Sequence, residues 1–270
     1  MAITGNITTE IYSQALGRPV QISARLPVPA PGKKLKTVYM IPGALETSDA
    51  LFTDMDVASA FVQRNLDEVA LIMVSPGFGF LADFHEDYRY AHQYYTFITQ
   101  ELVEITRTLF PLSTRREDTG IYGFSMGGFG AFCCGLNNPQ LYGYVGAQSG
   151  MLDMQWALEN RPFMKIKHRR QFGSSTSIRG TQYDLFELTT RLSEQKVAGD
   201  SMVPRIYQSW GREDYLRVPN ETMHRHLMAL DLDYTYYFIE GIHSWGPGNS
   251  GVYLYLDWFL GREGKEGDTE

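Results

Sequence analysis

Cysteine is scarce in this sequence. Only two cysteines occur among the 270 residues, and they are neighbours, Cys133 and Cys134. Adjacent cysteines cannot form a usual structural disulfide, so we expect both to pack as small hydrophobic side chains on a helix. A chain without a disulfide framework fits a reducing compartment, and we therefore expect a cytoplasmic protein.

Basic charge is not in excess either. The chain carries 24 Lys and Arg against 31 Asp and Glu, which gives a formal net charge of −7. Nucleic-acid-binding domains normally present a basic face, so this balance argues against a nucleic-acid partner. A net negative charge favours instead a soluble protein that stays dispersed.

Long apolar runs and cofactor motifs are also missing. No apolar stretch is long enough to span a bilayer, and residues 1–20 lack the basic start and apolar centre of a secretory signal. We find no metal-ligand cluster, phosphate-binding loop or dinucleotide fingerprint, so we expect no metal and no organic cofactor. Hydrophobic residues nevertheless make up 43% of the chain, enough for a sizeable core.

What the sequence does contain is an alternation of strand and helix patterns. Short apolar or alternating runs that end near Gly or Pro indicate strands in "RPVQISARLPV", "KTVYMIPG", "VALIMVSPG", "TGIYGF", "YGYVGAQSG", "PRIYQSWG" and "YTYYFIEG". Helical spacing indicates helices in "DMDVASAFVQRNL", "YYTFITQELVEITRTLFP", "SMGGFGAFCCGLNN", "PNETMHRHLMAL" and "GVYLYLDWFLGR". This alternation predicts an α/β fold with a mostly parallel central sheet and helices on both faces.

We expect one domain over residues 1–262. Within it, residues 151–196 have a less regular pattern that includes a polar, basic stretch rich in Gly and Ser. We interpret them as an irregular, cap-like excursion at the C-terminal edge of the sheet, where such segments often shape the substrate entrance. Residues 263–270 are charged and contain Gly, so we expect a disordered tail.

A serine surrounded by glycines is the most informative motif. Gly123 to Gly127 read G-x-S-x-G, with a predicted strand before them and a predicted helix after them. This is the context of a nucleophile elbow, a turn so tight that its flanking positions tolerate almost no side chain. A glycine-rich turn with an incidental serine is the alternative. We expect Ser125 to be a nucleophile and the N–H of Met126, at the helix start, to be one donor of an oxyanion hole.

A serine nucleophile needs a general base, and His243 is the best-placed histidine. It lies in a loop after the last predicted strand and before the last predicted helix, where a base that follows nucleophile and acid in chain order belongs. His224 and His226 are two residues apart on a helix, so they point to different faces and cannot form a joint site. A loop histidine without a catalytic role remains the alternative for His243.

The base in turn needs a carboxylate that orients it. Glu213 and Asp214 follow the strand "PRIYQSWG", and only one of them can face the imidazole. Asp231 and Asp233 also precede His243, but they enter their strand from the far end of the sheet. Charged loop residues are usually only solvated, which is the alternative for each candidate. We prefer Asp214.

Several motifs in this order resemble the putative-esterase group of α/β-hydrolases, which includes tributyrin esterases and S-formylglutathione hydrolases. The stretches that carry the resemblance are "FPLSTRREDTGIYGFSMGGFGAF", "GAQSG", "GTQYDLFELTTRL", "WGREDYL" and "GIHSW". "WGREDYL" resembles the family's Gly-x-x-Asp-x-Leu, whose triad acid falls on Asp214, and "GIHSW" resembles its His-x-Trp, which falls on His243. The likeness is strongest to the tributyrin-esterase type and implies the α/β-hydrolase fold.

One loop departs from the family pattern. The first oxyanion loop of the family usually reads His-Gly after an apolar strand, whereas "MIPGAL" has Pro42 at the position of that histidine. The resemblance places the second oxyanion donor at the backbone N–H of Ala44. Pro42 leaves that donor in place, although proline restricts φ and has no N–H of its own.

The resemblance implies hydrolysis of a small-molecule ester with a short acyl chain, through an acyl-enzyme and without a cofactor. A thioesterase of the S-formylglutathione hydrolase type, an acyltransferase on the same triad and a catalytically inactive binding protein are alternatives. The resemblance is also consistent with a homo-oligomer. Our candidates for the substrate pocket are Gly43, Phe78, Phe80, Trp210 and Trp245.

Overall fold

An eight-stranded sheet forms the centre of the structure. The computed structural model describes residues 4–44, 46–53, 65–75, 81–83, 92–161, 177–244 and 251–262. The strands are β1 (Thr4–Ser13), β2 (Arg18–Pro27), β3 (Lys36–Ile41), β4 (Val69–Val74), β5 (Thr119–Phe124), β6 (Tyr144–Gln148), β7 (Arg205–Gly211) and β8 (Tyr234–Ile239). Their order in the sheet is β1-β2-β4-β3-β5-β6-β7-β8. Pairing is antiparallel from β1 to β2 and from β2 to β4, and parallel between all later neighbours.

The helices lie between these strands in the chain, except for the last helix, which follows β8. They are α1 (Ala50–Thr53), α2 (Tyr94–Thr96, continued by a π-helical turn Phe97–Glu101 and by Leu102–Leu109), α3 (Met126–Asn137), α4 (Met154–Asn160), α5 (Leu185–Val197), α6 (Arg217–Met228) and α7 (Gly251–Phe259). A short 3₁₀ turn at Arg116–Asp118 precedes β5. Among the residues that the structure describes, no helix has the length and apolar character needed to cross a membrane.

The central strands are buried on both faces. All six residues of β4 and all six of β5 are buried. Successive side chains of a strand point to opposite faces, and in β3 Tyr39 and Ile41 belong to one hydrophobic cluster while Val38 and Met40 belong to another. Side chains of α2 and α3 belong to the first cluster, on one face of the sheet, and side chains of α7 belong to the second, on the other face. This arrangement confirms the predicted mostly parallel sheet with helices on both faces.

The cysteine prediction is confirmed as well. Cys133 and Cys134 are free thiols, fully buried in α3 within the larger hydrophobic cluster. Burial raises the pKa of both thiols, so they stay protonated and behave as small apolar groups.

The structure differs from the sequence-based prediction at two places. Strand β1 was not predicted: its ten residues, three of them Thr, pair with β2 along the whole length of that strand. The interval 151–196 is not irregular throughout, because it contains α4 and α5, each begun by an aspartate that accepts backbone N–H bonds at the helix start. Those caps, at Asp153 and Asp184, are what the composition of the interval did not reveal.

Two predictions concern residues outside the ranges that the structure describes. Most of the predicted helix in "DMDVASAFVQRNL" lies outside the described residues, and so does the predicted tail at 263–270. The single domain over residues 1–262 stays a prediction.

A glycine in the last turn of α3 supports a prediction about stability. A Cβ on Gly135 would lie 2.5 Å from Val145 Cγ2 and 2.9 Å from Ile121 Cγ2. Alanine normally stabilises a helix interior by about 1 kcal/mol relative to glycine. Here overpacking outweighs that gain, and we expect Gly135→Ala to lower the free energy of unfolding by about 1–3 kcal/mol.

Urea denaturation of the purified variant measures this change. Gly5→Ala in β1 is the matched control, because nothing lies within 4 Å of the added methyl group. We expect that variant to be as stable as the wild type or slightly more stable. An equal or higher stability of Gly135→Ala would contradict the close packing of α3 on the sheet.

Candidate active site

The turn between β5 and α3 holds Ser125 in a strained conformation. Its φ is 56° and its ψ is −117°, a combination that side-chain-bearing residues rarely adopt. Backbone hydrogen bonds hold it there: the N–H of Ser125 donates to the carbonyl of Gln148 at 3.0 Å, and the Ser125 carbonyl accepts from Gly128 and Met151, each at 3.1 Å. The neighbouring strand β6 and the helix start therefore fix the serine together.

The glycines of the motif are required by close backbone contacts. A Cβ on Gly123 would lie 2.1 Å from the carbonyl oxygen of Gly127, and one on Gly127 would lie 2.2 Å from the carbonyl oxygen of Ile41. A Cβ on Gly128 would lie 2.8 Å from the Cα of Gly150. Real Cβ atoms do not approach this closely. The sequence-based interpretation of these glycines is confirmed.

Three predicted side chains meet at the carboxyl ends of the strands. The hydroxyl of Ser125 lies 2.9 Å from Nε2 of His243. Nδ1 of the same ring lies 2.9 Å from Oδ1 and 3.1 Å from Oδ2 of Asp214. The Asp214 side chain is fully buried, and that of His243 is 12% exposed. With the Nδ1 proton donated to Asp214, Nε2 is free to accept the proton of the serine.

The loops after β7 and β8 support this contact. The N–H of Glu213 donates to the carbonyl of Gly241 at 3.1 Å, which ties the loop of the acid to the loop of the histidine. The N–H of Leu216 donates to Oδ1 of Asp214 at 2.7 Å, which holds the carboxylate in place. Glu213 itself is exposed.

The other candidate acids lie elsewhere. Asp231 pairs with Lys196, and Asp233 pairs with Arg205 at the opposite end of β7 and β8. His224 and His226 also have separate partners, since His224 contacts Tyr234 while His226 contacts Thr189 on α5.

Two aromatic rings pack against the histidine. The ring centroid of Phe124 lies 4.7 Å from that of His243, and the ring centroid of Tyr215 lies 4.2 Å away. Burial raises the pKa of Tyr215, and a side-chain hydrogen bond with Ser125 opposes that rise. The guanidinium of Arg161, at the end of α4, lies 5.2 Å from the Tyr215 ring centroid. Sequence reasoning missed Tyr215; its place directly after Asp214 was the only available signal.

The predicted oxyanion loop lies beside the serine turn. The N–H of Gly43 donates to Oε2 of Glu46 at 2.6 Å and is therefore already bonded. The N–H groups of Ala44 and Met126 donate no hydrogen bond to any described residue. Gly43 is buried and Ala44 is exposed. The loop thus leaves its backbone donor at Ala44 available in spite of Pro42.

The structure does not bring the predicted pocket residues together in one described site. Trp210 is fully buried, with its ring centroid 4.7 Å from that of Phe238 and 5.4 Å from that of His224, so it packs in the interior. Phe78, Phe80 and Trp245 lie outside the described residues. Within the ranges that the structure describes, no group of three or more His, Cys, Asp or Glu side chains is arranged to hold a metal ion.

Comparison with known proteins finds relatives along most of the chain. The family described as putative esterase matches residues 13–246. An acetyl esterase of Caldicellulosiruptor saccharolyticus is 29% identical over 263 residues, which cover 92% of this chain and 95% of the relative. An S-formylglutathione hydrolase of Bos taurus is 38% identical over 72 residues, 26% of this chain and 25% of the relative.

Solved structures agree on the fold. The substrate-bound serine hydrolase FphF of Staphylococcus aureus superposes with a TM-score of 0.81 at 21% identity, over 95% of this chain and 98% of that one. The S-formylglutathione hydrolase FrmB of the same organism superposes with a TM-score of 0.75 at 21% identity, over 97% of this chain and 98% of that one. The predicted α/β-hydrolase fold is confirmed. The chain belongs to the putative-esterase family and is a carboxylic ester hydrolase.

Proposed function

We propose that the chain is a serine esterase that hydrolyses short-chain acyl esters through an acyl-enzyme. In this proposal Ser125 is the nucleophile, His243 is the general base and acid, and Asp214 orients the imidazole. The observation that carries the proposal is the continuous hydrogen-bonded chain from the buried Asp214 carboxylate through His243 to the Ser125 hydroxyl. Such a chain is the arrangement that activates a serine.

The proposed reaction has two halves. Ser125 Oγ attacks the ester carbonyl carbon while His243 Nε2 takes the serine proton, and the buried carboxylate of Asp214 stabilises the charged ring. The tetrahedral intermediate collapses, His243 protonates the leaving alcohol, and the acyl group stays on Ser125. Water then attacks this acyl-enzyme with His243 again as the base, and the acid and the free serine are released.

The backbone donors provide the electrostatic part of the mechanism. We assign the oxyanion to the N–H groups of Ala44 and Met126, which have no other acceptor among the described residues. Met126 is the first residue of α3, where the helix dipole also favours negative charge. One such donor contributes about 3 kcal/mol of transition-state stabilisation.

The short acyl chain and the substrate class rest on the relatives. The relative that spans nearly the whole chain is named acetyl esterase, which supports a small acyl group. The S-formylglutathione hydrolase relatives favour thioester hydrolysis on the same triad as the second candidate function. The cytoplasmic location, the homo-oligomer and the absence of a nucleic-acid partner stay predictions.

Removal of the nucleophile tests the proposal directly. We expect Ser125→Ala to lower kcat for p-nitrophenyl acetate by roughly 10⁴-fold or more, because the variant lacks the hydroxyl that forms the acyl-enzyme. Ser193→Ala is the control: this serine of α5 is buried, and its hydroxyl accepts the N–H of Asp231 far from the triad. The control keeps full activity. Turnover by Ser125→Ala at the wild-type rate would refute the serine mechanism.

The two adjacent carboxylates give a second test. We expect Asp214→Asn to lower kcat by roughly 10³- to 10⁴-fold, since the amide no longer holds the imidazole in the required tautomer. Glu213→Gln changes kcat by less than about twofold, because its side chain is exposed and outside the hydrogen-bonded chain. Steady-state kinetics on the same ester compares the two variants, and the reverse order would move the acid to Glu213.

A series of substrates measures which acyl-chain length and which leaving group the enzyme prefers. We expect kcat/KM to be highest for p-nitrophenyl acetate or butyrate and to fall for octanoate and palmitate. S-formylglutathione is assayed beside its oxygen-ester counterparts on the same enzyme preparation. A higher kcat/KM for the thioester would replace the esterase assignment with the thioesterase alternative, while transfer to an added alcohol in preference to water would indicate an acyltransferase.

A further inference from the structure

A fully buried glutamine joins the serine turn to the histidine loop. Gln148 is the last residue of β6. Its backbone carbonyl accepts the N–H of Ser125 at 3.0 Å. Its side-chain Nε2 donates to the carbonyl of Ser244, the residue after His243, at 2.9 Å. One residue thus contacts the backbone of the nucleophile and the backbone beside the base.

The orientation of the Gln148 amide is set by its two partners. The carbonyl oxygen of Ser244 can only accept, so Nε2 must face it. Oε1 then faces the hydroxyl of Tyr122, which donates to it at 2.5 Å. Burial raises the pKa of Tyr122 well above its usual range, so the phenol keeps the proton that it donates.

Two glycines provide the space for this arrangement. A Cβ on Gly146 would lie 2.4 Å from the Tyr255 ring and 2.8 Å from the Tyr122 ring. A Cβ on Gly251, at the start of α7, would lie 2.4 Å from Oε1 of Gln148. The hydroxyl of Tyr207 donates to the carbonyl of Gly251 at 3.1 Å. The amide of Gln148 on β6 and the hydroxyl of Tyr207 on β7 thus bond the backbone carbonyls of Ser244 and Gly251, and Tyr122 on β5 supports the amide.

A buried amide is a costly way to fill this space. Burying an amide in a hydrophobic interior is unfavourable unless its hydrogen bonds are made, and an apolar side chain of similar volume would avoid that cost. The bonds that compensate Gln148 lead to the segment that carries His243. The buried amide is bonded to a backbone carbonyl one residue from His243, so it is placed to hold the histidine in position.

We propose that Gln148 is a positioning residue, which sets the distance between Ser125 and His243 by holding the Ser244 carbonyl. The inference rests on the proposed function, because it concerns the same triad. Gln148 touches neither the substrate carbonyl nor the reacting atoms in this role. Loss of its side-chain bond frees the histidine loop, and a displacement of about 1 Å in a reacting group costs roughly 100-fold in rate.

The experiment compares Gln148→Met with Gln148→Glu. The methionine variant keeps the volume and loses both bonds at every pH. The glutamate variant keeps an acceptor for Tyr122, and its protonated carboxyl can still donate to Ser244, whereas the ionised carboxylate cannot. We expect kcat for p-nitrophenyl acetate to fall about 10- to 100-fold in the methionine variant, and in the glutamate variant once the assay pH is raised until the carboxyl ionises, with KM within about threefold of the wild type. The inactivation rate constant with a fluorophosphonate, which reports Ser125 reactivity without substrate binding, falls in parallel.

A pair of tyrosine variants covers the case that the glutamine variants do not fold. Tyr122→Phe removes the donor to Gln148, and Tyr39→Phe removes a buried hydroxyl that bonds Thr106 instead. Both tyrosines are fully buried on central strands, so the loss of stability is similar. We expect kcat to fall about threefold or more in Tyr122→Phe and to remain unchanged in Tyr39→Phe, because only Tyr122 is connected to the histidine loop.

The outcomes separate this inference from the proposed function. Wild-type kcat and inactivation rate in both glutamine variants would overturn the positioning role, and so would an equal loss of kcat in the two tyrosine variants. An active Ser125→Ala variant would instead remove the proposed mechanism itself. With Ser125→Ala inactive and the Gln148 variants fully active, the triad assignment stands and only the role of Gln148 fails.

Discussion

The close backbone contact at the serine turn is the constraint on which the site depends. Gly127 lies so near the carbonyls of Ile41 and Pro42 that no side chain fits between them. This contact brings the end of β3 and its following loop against the start of α3. The start of α3, where Met126 lies, is consequently next to the loop that carries Ala44, and the hydroxyl of the strained Ser125 lies 2.9 Å from Nε2 of His243. The stability of the whole fold offsets the free-energy cost of this strained backbone conformation.

The parallel sheet assembles the remaining parts. Ser125, Asp214 and His243 follow three different strands, and parallel strands present their carboxyl ends at one edge. Ser125 and His243 are 118 positions apart in the chain, yet their reacting atoms lie 2.9 Å apart. The sheet register between β5, β6, β7 and β8 therefore determines the geometry of the site to a large extent.

Two buried polar side chains lie at this edge of the sheet. Asp214 is fully buried and is compensated by His243 and by the N–H of Leu216. Gln148 is fully buried and is compensated by Tyr122 and Ser244. Each of these groups would be unfavourable alone, and each is bonded to a segment of the triad. These buried polar interactions join the segments that carry Ser125, Asp214 and His243.

Much of the fold could be predicted from the chain itself because its signals are local. Short apolar or alternating runs predicted β2 to β8, helical spacing predicted α2, α3, α6 and α7, and the glycines around Ser125 predicted the tight turn. Strand β1 was missed, since a Thr-rich edge strand has no strong apolar pattern. Asp214 and Glu213 are equivalent as residues in a loop, and the family resemblance supported the preference for Asp214.

The sequence by itself determined the order of strands and helices, the steric demand at Ser125 and the short set of candidate side chains. Only the tertiary structure decided that Asp214 is buried against His243 while Glu213 is exposed, and that the ring of Tyr215 packs against the imidazole. It also joined Gln148 to Ser244, 96 positions further along the chain. The physical reason is that periodicity and turn preference report on neighbouring residues, whereas burial and long-range hydrogen bonds depend on which strands are adjacent in the sheet.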